Sequence, residues 1–134
     1  MIIIDTNVLI YGEMKDSQEY LDAIRRYRAA IESDRIGINV IIVSEFFHKI
    51  SKLVDSQHAA TKISEIFESQ YIDYLEFNPE LIARAAKLSR DFKLRINDAL
   101  IAQQAIELGA AILTDNVKDF GKINSLKIIP MRAK

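Results

Sequence analysis

Short apolar runs alternate along the chain with longer segments in which apolar residues recur at helical spacing. Residues 2–5 begin with three isoleucines and end at an aspartate, which is typical of a buried strand in a parallel sheet. Similar short runs predict four more strands, at residues 36–40, 71–77, 110–114 and 126–129. Helical spacing predicts helices over residues 17–33, from about residue 43 or 44, and over residues 57–69, 79–93 and 97–109.

This alternation of strands and helices predicts an α/β fold with a central five-stranded, mainly parallel sheet flanked by helices on both faces. The chain has only 4 Gly and 2 Pro residues, and no segment has the composition of a linker. We therefore expect residues 1–134 to form a single domain.

Composition and charge narrow the class of protein without identifying a partner. An apolar content of 49% is sufficient for a hydrophobic core. The absence of cysteine excludes disulfides and thiolate metal sites. No apolar run is long enough to cross a membrane, and no signal peptide is evident, so we expect a cytoplasmic protein. The net charge of −1 neither indicates nor excludes nucleic acid.

Acidic residues follow the predicted strands or stand near the start of the next helix. They are Asp5, Glu45, Asp98, Asp115 and Asp119. In open α/β sheets, ligands bind beyond the carboxyl ends of the strands. These residues are far apart in sequence, but a fold of this class could bring them together.

Some of these residues also have a local explanation. Asp5 could cap a following helix, and Glu45 could favour the positive end of its own helix. Asp98 is more informative, because it begins a helix that is apolar nearly all round and is therefore expected to be buried. Helix-dipole stabilisation of about 0.3–1 kcal/mol would not offset the burial of an unpaired carboxylate.

Convergence of these carboxylates would have a definite chemical consequence. Two like charges about 4 Å apart repel by roughly 4 kcal/mol at an effective dielectric constant of about 20. The cluster would therefore take up protons or bind a cation. A set of oxygen ligands without Cys or His favours Mg²⁺ or Mn²⁺, and such a site suits hydrolytic phosphoryl chemistry with a metal-activated water.

Four motifs carry a family resemblance: "IIIDTNVLI", "SEF", "NDALIAQQA" and "ILTDNVKDF". In this order and spacing the sequence resembles the PIN domain, and most closely the VapC-type ribonuclease toxins of toxin–antitoxin pairs. The resemblance covers essentially the whole chain. It implies a five-stranded parallel sheet, an Mg²⁺-dependent endoribonuclease acting on RNA, a cognate antitoxin protein as partner, and often a homodimer.

The resemblance also implies roles for individual residues. Asp5, Glu45 and Asp98 match the three central acidic residues of the family, as catalytic residues and metal ligands. Three polar residues match its neighbouring positions and would orient the ligands: Thr6, Asn7 and Thr114.

The fourth acidic position differs from the common family pattern. Many members have Asp where this chain has Asn116. Strand alternation predicts that Thr114 and Asn116 face the site and that Asp115 turns away. Asp119 is then the preferred fourth carboxylate and Asp115 the alternative. With Asn116 in place of Asp, chemistry with one metal ion or with two is left open.

Other candidates are weaker. Arg95 and Lys118 stand near the predicted site and could contact the RNA backbone, although a solvated charged surface is the preferred explanation for each of them taken alone. His48 and His58 are predicted to be surface or helix-packing residues. Six aromatic residues have core spacing, namely Phe46, Phe47, Phe67, Tyr71, Tyr74 and Phe77. Phe46, Phe47 and Tyr11 could instead line an interface.

Two further functional hypotheses compete with the nuclease. A degenerate PIN-like module could bind RNA or a protein partner without cleaving RNA, which Asn116 would favour. A receiver domain or a dehalogenase-type phosphatase also gathers carboxylates at strand ends. However, the chain has a single Asp5 where a receiver has paired acids, and Asn7 where the phosphatase needs an aspartate.

Overall fold

The computed structural model of the protein describes residues 1–132, which contain a five-stranded sheet in the order β3-β2-β1-β4-β5. Every neighbouring pair of strands in this sheet is parallel. The strands are β1 (Ile2–Ile4), β2 (Ile36–Asn39), β3 (Ile72–Leu75), β4 (Ala111–Thr114) and β5 (Lys127–Pro130). The predicted α/β fold is therefore confirmed, and the sheet is wholly parallel.

Seven helices lie within the described residues. They are α1 (Thr6–Tyr11), α2 (Tyr20–Ser33), α3 (Val40–Leu53), α4 (Ser56–Glu68), α5 (Pro79–Phe92), α6 (Ile96–Leu108) and α7 (Val117–Phe120). None of the helices in residues 1–132 is long and apolar enough to cross a membrane.

Strand β1 lies at the centre of the sheet and contributes to a hydrophobic core on each face. Ile2 and Ile4 pack on one face with residues of α1 and α2. Ile3 points to the opposite face and packs with residues of α3 and α6. This alternation follows from the two-residue period of a strand. It explains why β1 is apolar at every position, since both of its faces are covered.

The ends of several helices follow predicted signals, whereas others differ. Gly109 ends α6 in the left-handed conformation, with φ 63°, as expected of a glycine C-cap. Helix α3 begins at Val40, earlier than predicted, because the side chain of Asn39 accepts a hydrogen bond from the backbone N–H of Ile42. Glu45 consequently lies in the second turn of α3 and does not open the helix. Helical spacing did not predict the short helices α1 and α7, and α1 is the helix that Asp5 was expected to cap if its role were only local.

The core location predicted for the aromatic residues is correct for only part of the set. Phe46 is buried, and Phe77 packs against the core. The prediction is wrong for Phe47, Phe67, Tyr71 and Tyr74, which are exposed. Strand β3 is an edge strand, so residues of β3 and α4 have fewer elements to cover them. Helical spacing identifies an apolar face but does not show whether another element covers it.

A buried pair of amide side chains links α3 to α6 and to the end of β3. The Nδ2 of Asn39 donates to Oε1 of Gln104 over 2.8 Å, and Nε2 of Gln104 donates to the carbonyl of Glu76 over 3.2 Å. Asn39 and Gln104 are both almost completely buried. Buried amides need such partners, so this pair fixes the position of α3 against α6. Those two helices carry Glu45 and Asp98.

We predict that Gln104→Ala lowers the free energy of unfolding by about 1–3 kcal/mol, because the buried amide of Asn39 would lose its partner. Gln103→Ala is the matched control, since Gln103 lies one position earlier on α6 with its bond to Glu107 at the surface. Urea denaturation of both variants measures the difference. Equal midpoints for the two variants would contradict the role given to the amide pair.

Candidate active site

The candidate site lies where the strand order reverses, at the carboxyl ends of β1 and β4. From β1, the chain builds the sheet in one direction through β2 and β3, and in the other through β4 and β5. Parallel α/β sheets open a crevice at such a switch point, and ligands bind there. Asp5 directly follows β1, and Thr114 ends β4.

Asp5 has both of its carboxylate oxygens engaged. Its Oδ1 accepts a hydrogen bond of 2.8 Å from the backbone N–H of Thr6, which makes Asp5 the N-cap of α1. Its Oδ2 accepts a 2.7 Å bond from the hydroxyl of Thr114. Asp5 and Thr114 are buried. The local explanation and the functional one are therefore compatible, because the same carboxylate caps α1 and lines the cleft.

Glu45 and Asp98 lie in the same cleft as Asp5. The hydroxyl of Thr6 donates to Oε1 of Glu45 over 2.8 Å and so links α1 to α3. Asp98 is buried in the first turn of α6, as predicted. The guanidinium of Arg95 lies 3.6 Å from Glu45 and 3.6 Å from Asp98. Arg95 thus partly offsets the negative charge of these two carboxylates.

The two candidates for the fourth carboxylate both lie in the segment after β4, but only one of them lines the cleft. Asn116 and Asp119 line the cleft, and Nδ2 of Asn116 donates to Asp119 over 3.2 Å. Asp115 does not line it. Instead, its two oxygens bind Arg132 over 2.7 Å and 3.0 Å, and its N–H donates to Oδ1 of Asn7 over 3.2 Å. Asp119 and Asp115 therefore have different surroundings.

The cleft has a volume of about 690 Å³, within the usual range for ligand pockets. It also contains residues that the sequence analysis did not assign to a site. They are Ile10, Tyr11, Met14, His48, Lys49 and Leu53. Helical spacing places His48, Lys49 and Leu53 on the same side of α3 as Glu45. Only the position of α3 in the structure shows that this side of the helix borders the cleft. Lys118 is exposed and does not line the cleft, and His58 lies elsewhere, 3.1 Å from Glu13.

Two of the acidic groups in the cleft, Asp5 and Asp98, have a raised pKa. Burial is the main reason why the pKa of Asp5 rises from 3.8 to about 6, and Asp98 and Glu45 contribute by charge repulsion. The hydrogen bonds from Thr114 and Thr6 oppose this rise. The pKa of Asp98 is also raised, mainly by burial, and Arg95 partly offsets that effect. Perturbed carboxylates in a cleft are typical of functional sites.

The donor chemistry of this cleft suits a hard divalent cation. Every charged donor is a carboxylate, and the repulsion between Asp5, Asp98 and Glu45 is what a bound cation would relieve. Across residues 1–132, no three acidic or histidine side chains lie close enough together to enclose a metal ion as they stand. The donor set therefore fits such an ion, while closure of a ligand shell requires rotation of side chains such as Glu45 and Asp119.

The fold and the cleft together define an α/β domain with an acidic crevice at its topological switch point. The family model of the PIN domain matches residues 2–125. The chain belongs to the PIN domain family.

Comparison with individual proteins gives relatives over nearly the full length. The chain is 25% identical over 129 residues to the Ribonuclease VapC2 of Rickettsia felis, with 92% of each chain covered. In fold it is similar to a chain of the VapBC2 complex of Rickettsia felis bound to a promoter DNA fragment, at a TM-score of 0.75, 22% identity and coverage of 97% and 98%. A toxin–antitoxin complex of Klebsiella pneumoniae gives a TM-score of 0.75, 21% identity and 98% coverage of each chain.

We predict that, in EDTA, the protein loses stability between about pH 4 and pH 7 relative to Asp5→Asn. The folded state holds the Asp5 proton up to a pKa of about 6, and the unfolded state only up to 3.8. The unfolded state therefore binds fewer protons in this window, and the free energy of unfolding falls as the pH rises, by about 3 kcal/mol. Urea denaturation across this pH range measures the difference, and parallel pH profiles for the two proteins would contradict it.

Proposed function

We propose that this protein is a metal-dependent endoribonuclease and the toxin of a toxin–antitoxin pair. The observation that carries this proposal is the convergence of Asp5, Glu45 and Asp98 on one cleft. Membership of the PIN domain family supports it, and so does the similarity to the Ribonuclease VapC2 of Rickettsia felis.

Four carboxylates would hold the cation, which we expect to be Mg²⁺ or Mn²⁺. They are Asp5, Glu45, Asp98 and Asp119. When bound, such an ion supplies Lewis acidity toward the phosphodiester and a water molecule of lowered pKa. The polar neighbours Thr6 and Thr114 would fix the oxygens of Asp5 and Glu45, so that the ligands keep their orientation as the cation binds.

Other residues would act on the substrate or on the supporting loop. Arg95 is exposed beside Asp98 and Glu45, and it would turn to a phosphate of the RNA once a cation neutralises these carboxylates. Asn7 would hold the loop after β4 through the N–H of Asp115, and Asn116 would orient Asp119. The exposed Lys118 would contact the RNA backbone only outside the cleft.

The partner would be a cognate antitoxin protein. This part of the proposal rests on two structures of similar fold, a VapBC complex and a toxin–antitoxin complex. A homodimer remains a prediction from the family resemblance. With RNA as substrate, the cytoplasm is where we expect the enzyme to act.

The test compares wild type with Asp98→Asn. Calorimetric titration of Mn²⁺ is run beside cleavage of a structured RNA with and without EDTA. We expect EDTA-sensitive cleavage by wild type, and a loss of metal affinity and cleavage by about a hundredfold or more in Asp98→Asn. Asp91→Asn is the matched control, because Asp91 is exposed on α5 and pairs with Lys87.

Two outcomes would count against the nuclease. Cleavage that persists in EDTA, or in Asp98→Asn, would contradict the role of the carboxylates. Absence of metal binding to wild type would favour the alternative function, a PIN-like module that binds RNA or a protein partner without catalysis.

A second prediction concerns the fourth carboxylate. We expect Asp119→Asn to weaken Mn²⁺ binding by about tenfold or more, and Asp115→Asn to leave it within about twofold. The reason is that Asp119 lines the cleft, whereas Asp115 is paired with Arg132. Calorimetric titration of both variants measures this. The reverse order of affinities would assign the fourth position to Asp115.

A further inference from the structure

The cleft continues beyond the carboxylates into a trough between α1 and α3. At its acidic end, the bond from Thr6 to Glu45 joins the two helices. From there the trough is lined by side chains of a different character. They are Ile10, Tyr11 and Met14 on one side, and His48, Lys49 and Leu53 on the other.

Helical spacing explains why these residues share one surface with the site. On α1, Asn7 and Tyr11 are four residues apart and lie on the same face. On α3, Lys49 and Leu53 follow Glu45 at intervals of four residues. The line from Glu45 to Leu53 spans eight residues, which is about 12 Å of helix.

We propose that this trough binds the nucleotide next to the scissile phosphate, with its base against Tyr11 and Leu53 and its phosphate near Lys49. The proposal rests on the proposed function, because it takes the carboxylates as the place of cleavage. It assigns a binding role to residues that the catalytic set leaves unused.

Charge supports an RNA strand as the occupant. The acidic end of the cleft contains four carboxylates with Arg95 as the cation among them, and by itself it repels a polyanion. Lys49 is exposed on α3 one turn from Glu45, and His48 beside it adds a hydrogen-bonding ring. A phosphate placed there would be attracted to Lys49 while the neighbouring phosphate lies at the carboxylates.

The apolar side chains suit a nucleobase. Tyr11 is partly exposed and provides an aromatic face, and Leu53 is 49% exposed. Single-stranded nucleic acid binds on such platforms by stacking, alongside positive groups that follow its backbone. Stacked bases are about 3.4 Å apart along a strand, so a length of about 12 Å accommodates at least one nucleotide beyond the cleavage point.

The test uses Tyr11→Leu and Lys49→Ala, each with a matched control. Tyr71→Leu removes an exposed aromatic ring directly before β3, and Lys127→Ala removes an exposed lysine of β5. Neither residue lines the cleft. Binding of a fluorescein-labelled single-stranded RNA of mixed sequence is followed by anisotropy in EDTA. Cleavage of the same RNA is followed in Mn²⁺.

We expect Tyr11→Leu to weaken RNA binding by about fivefold or more, and Tyr71→Leu to leave it within about twofold. Lys49→Ala should lower the slope of log affinity against log salt by about 0.7, which is the effect of losing one phosphate contact on a single strand. Lys127→Ala should keep the wild-type slope. A merely structural role for Lys49 would not change the slope.

The outcomes separate this proposal from the function on which it rests. If wild type cleaves the RNA but Tyr11→Leu and Lys49→Ala bind it like their controls, the nuclease stands and the nucleotide subsite is wrong. If wild type neither binds Mn²⁺ nor cleaves, while both variants still weaken binding as expected, the trough binds RNA and the proposed catalysis is wrong.

Discussion

The burial of the Asp5 carboxylate at the end of the central strand is the constraint on which the site depends. A carboxylate in this position is stable only with strong hydrogen-bond donors, and two elements provide them: the first turn of α1 and the end of β4. Each donor also fixes its own element against β1. The hydrogen bonds that stabilise the buried carboxylate of Asp5 therefore also hold α1 and β4 in place on either side of the cleft.

The other charged residues of the cleft differ in how far their side chains are exposed to water. Asp98 is buried and its pKa is raised, whereas Asp119 and Glu45 keep part of their hydration. Arg95 lies at the mouth, where it can approach or leave the carboxylates without disturbing the core. The buried carboxylates have a fixed position, and the more exposed carboxylates can rotate to complete the ligand shell of a cation.

Local signals in the sequence predicted the sheet and pointed to Asp5 and Asp98, whereas Glu45 was grouped with them by the family resemblance. Apolar runs ending in a carboxylate mark β1, and an apolar helix beginning with Asp98 marks a buried acid. The trough residues were not predicted, since Tyr11 and Lys49 belong to different helices and only the packing of α1 on α3 brings them together. The exposed aromatic residues show the same limit: periodicity identified Phe67 and Tyr74 as apolar positions but could not show which faces remain uncovered.

The contact between Asp5 and Thr114 joins residues 109 positions apart. Closing a contact over so long a loop costs conformational entropy, and it also requires that β4 has already been synthesised. Strand β1 can pair with β2 early, but its other edge remains open until β4 arrives. An unfinished chain therefore has its first acidic residue without the partner that buries it. A nascent or truncated chain that lacks β4 would therefore be without the acidic crevice between β1 and β4.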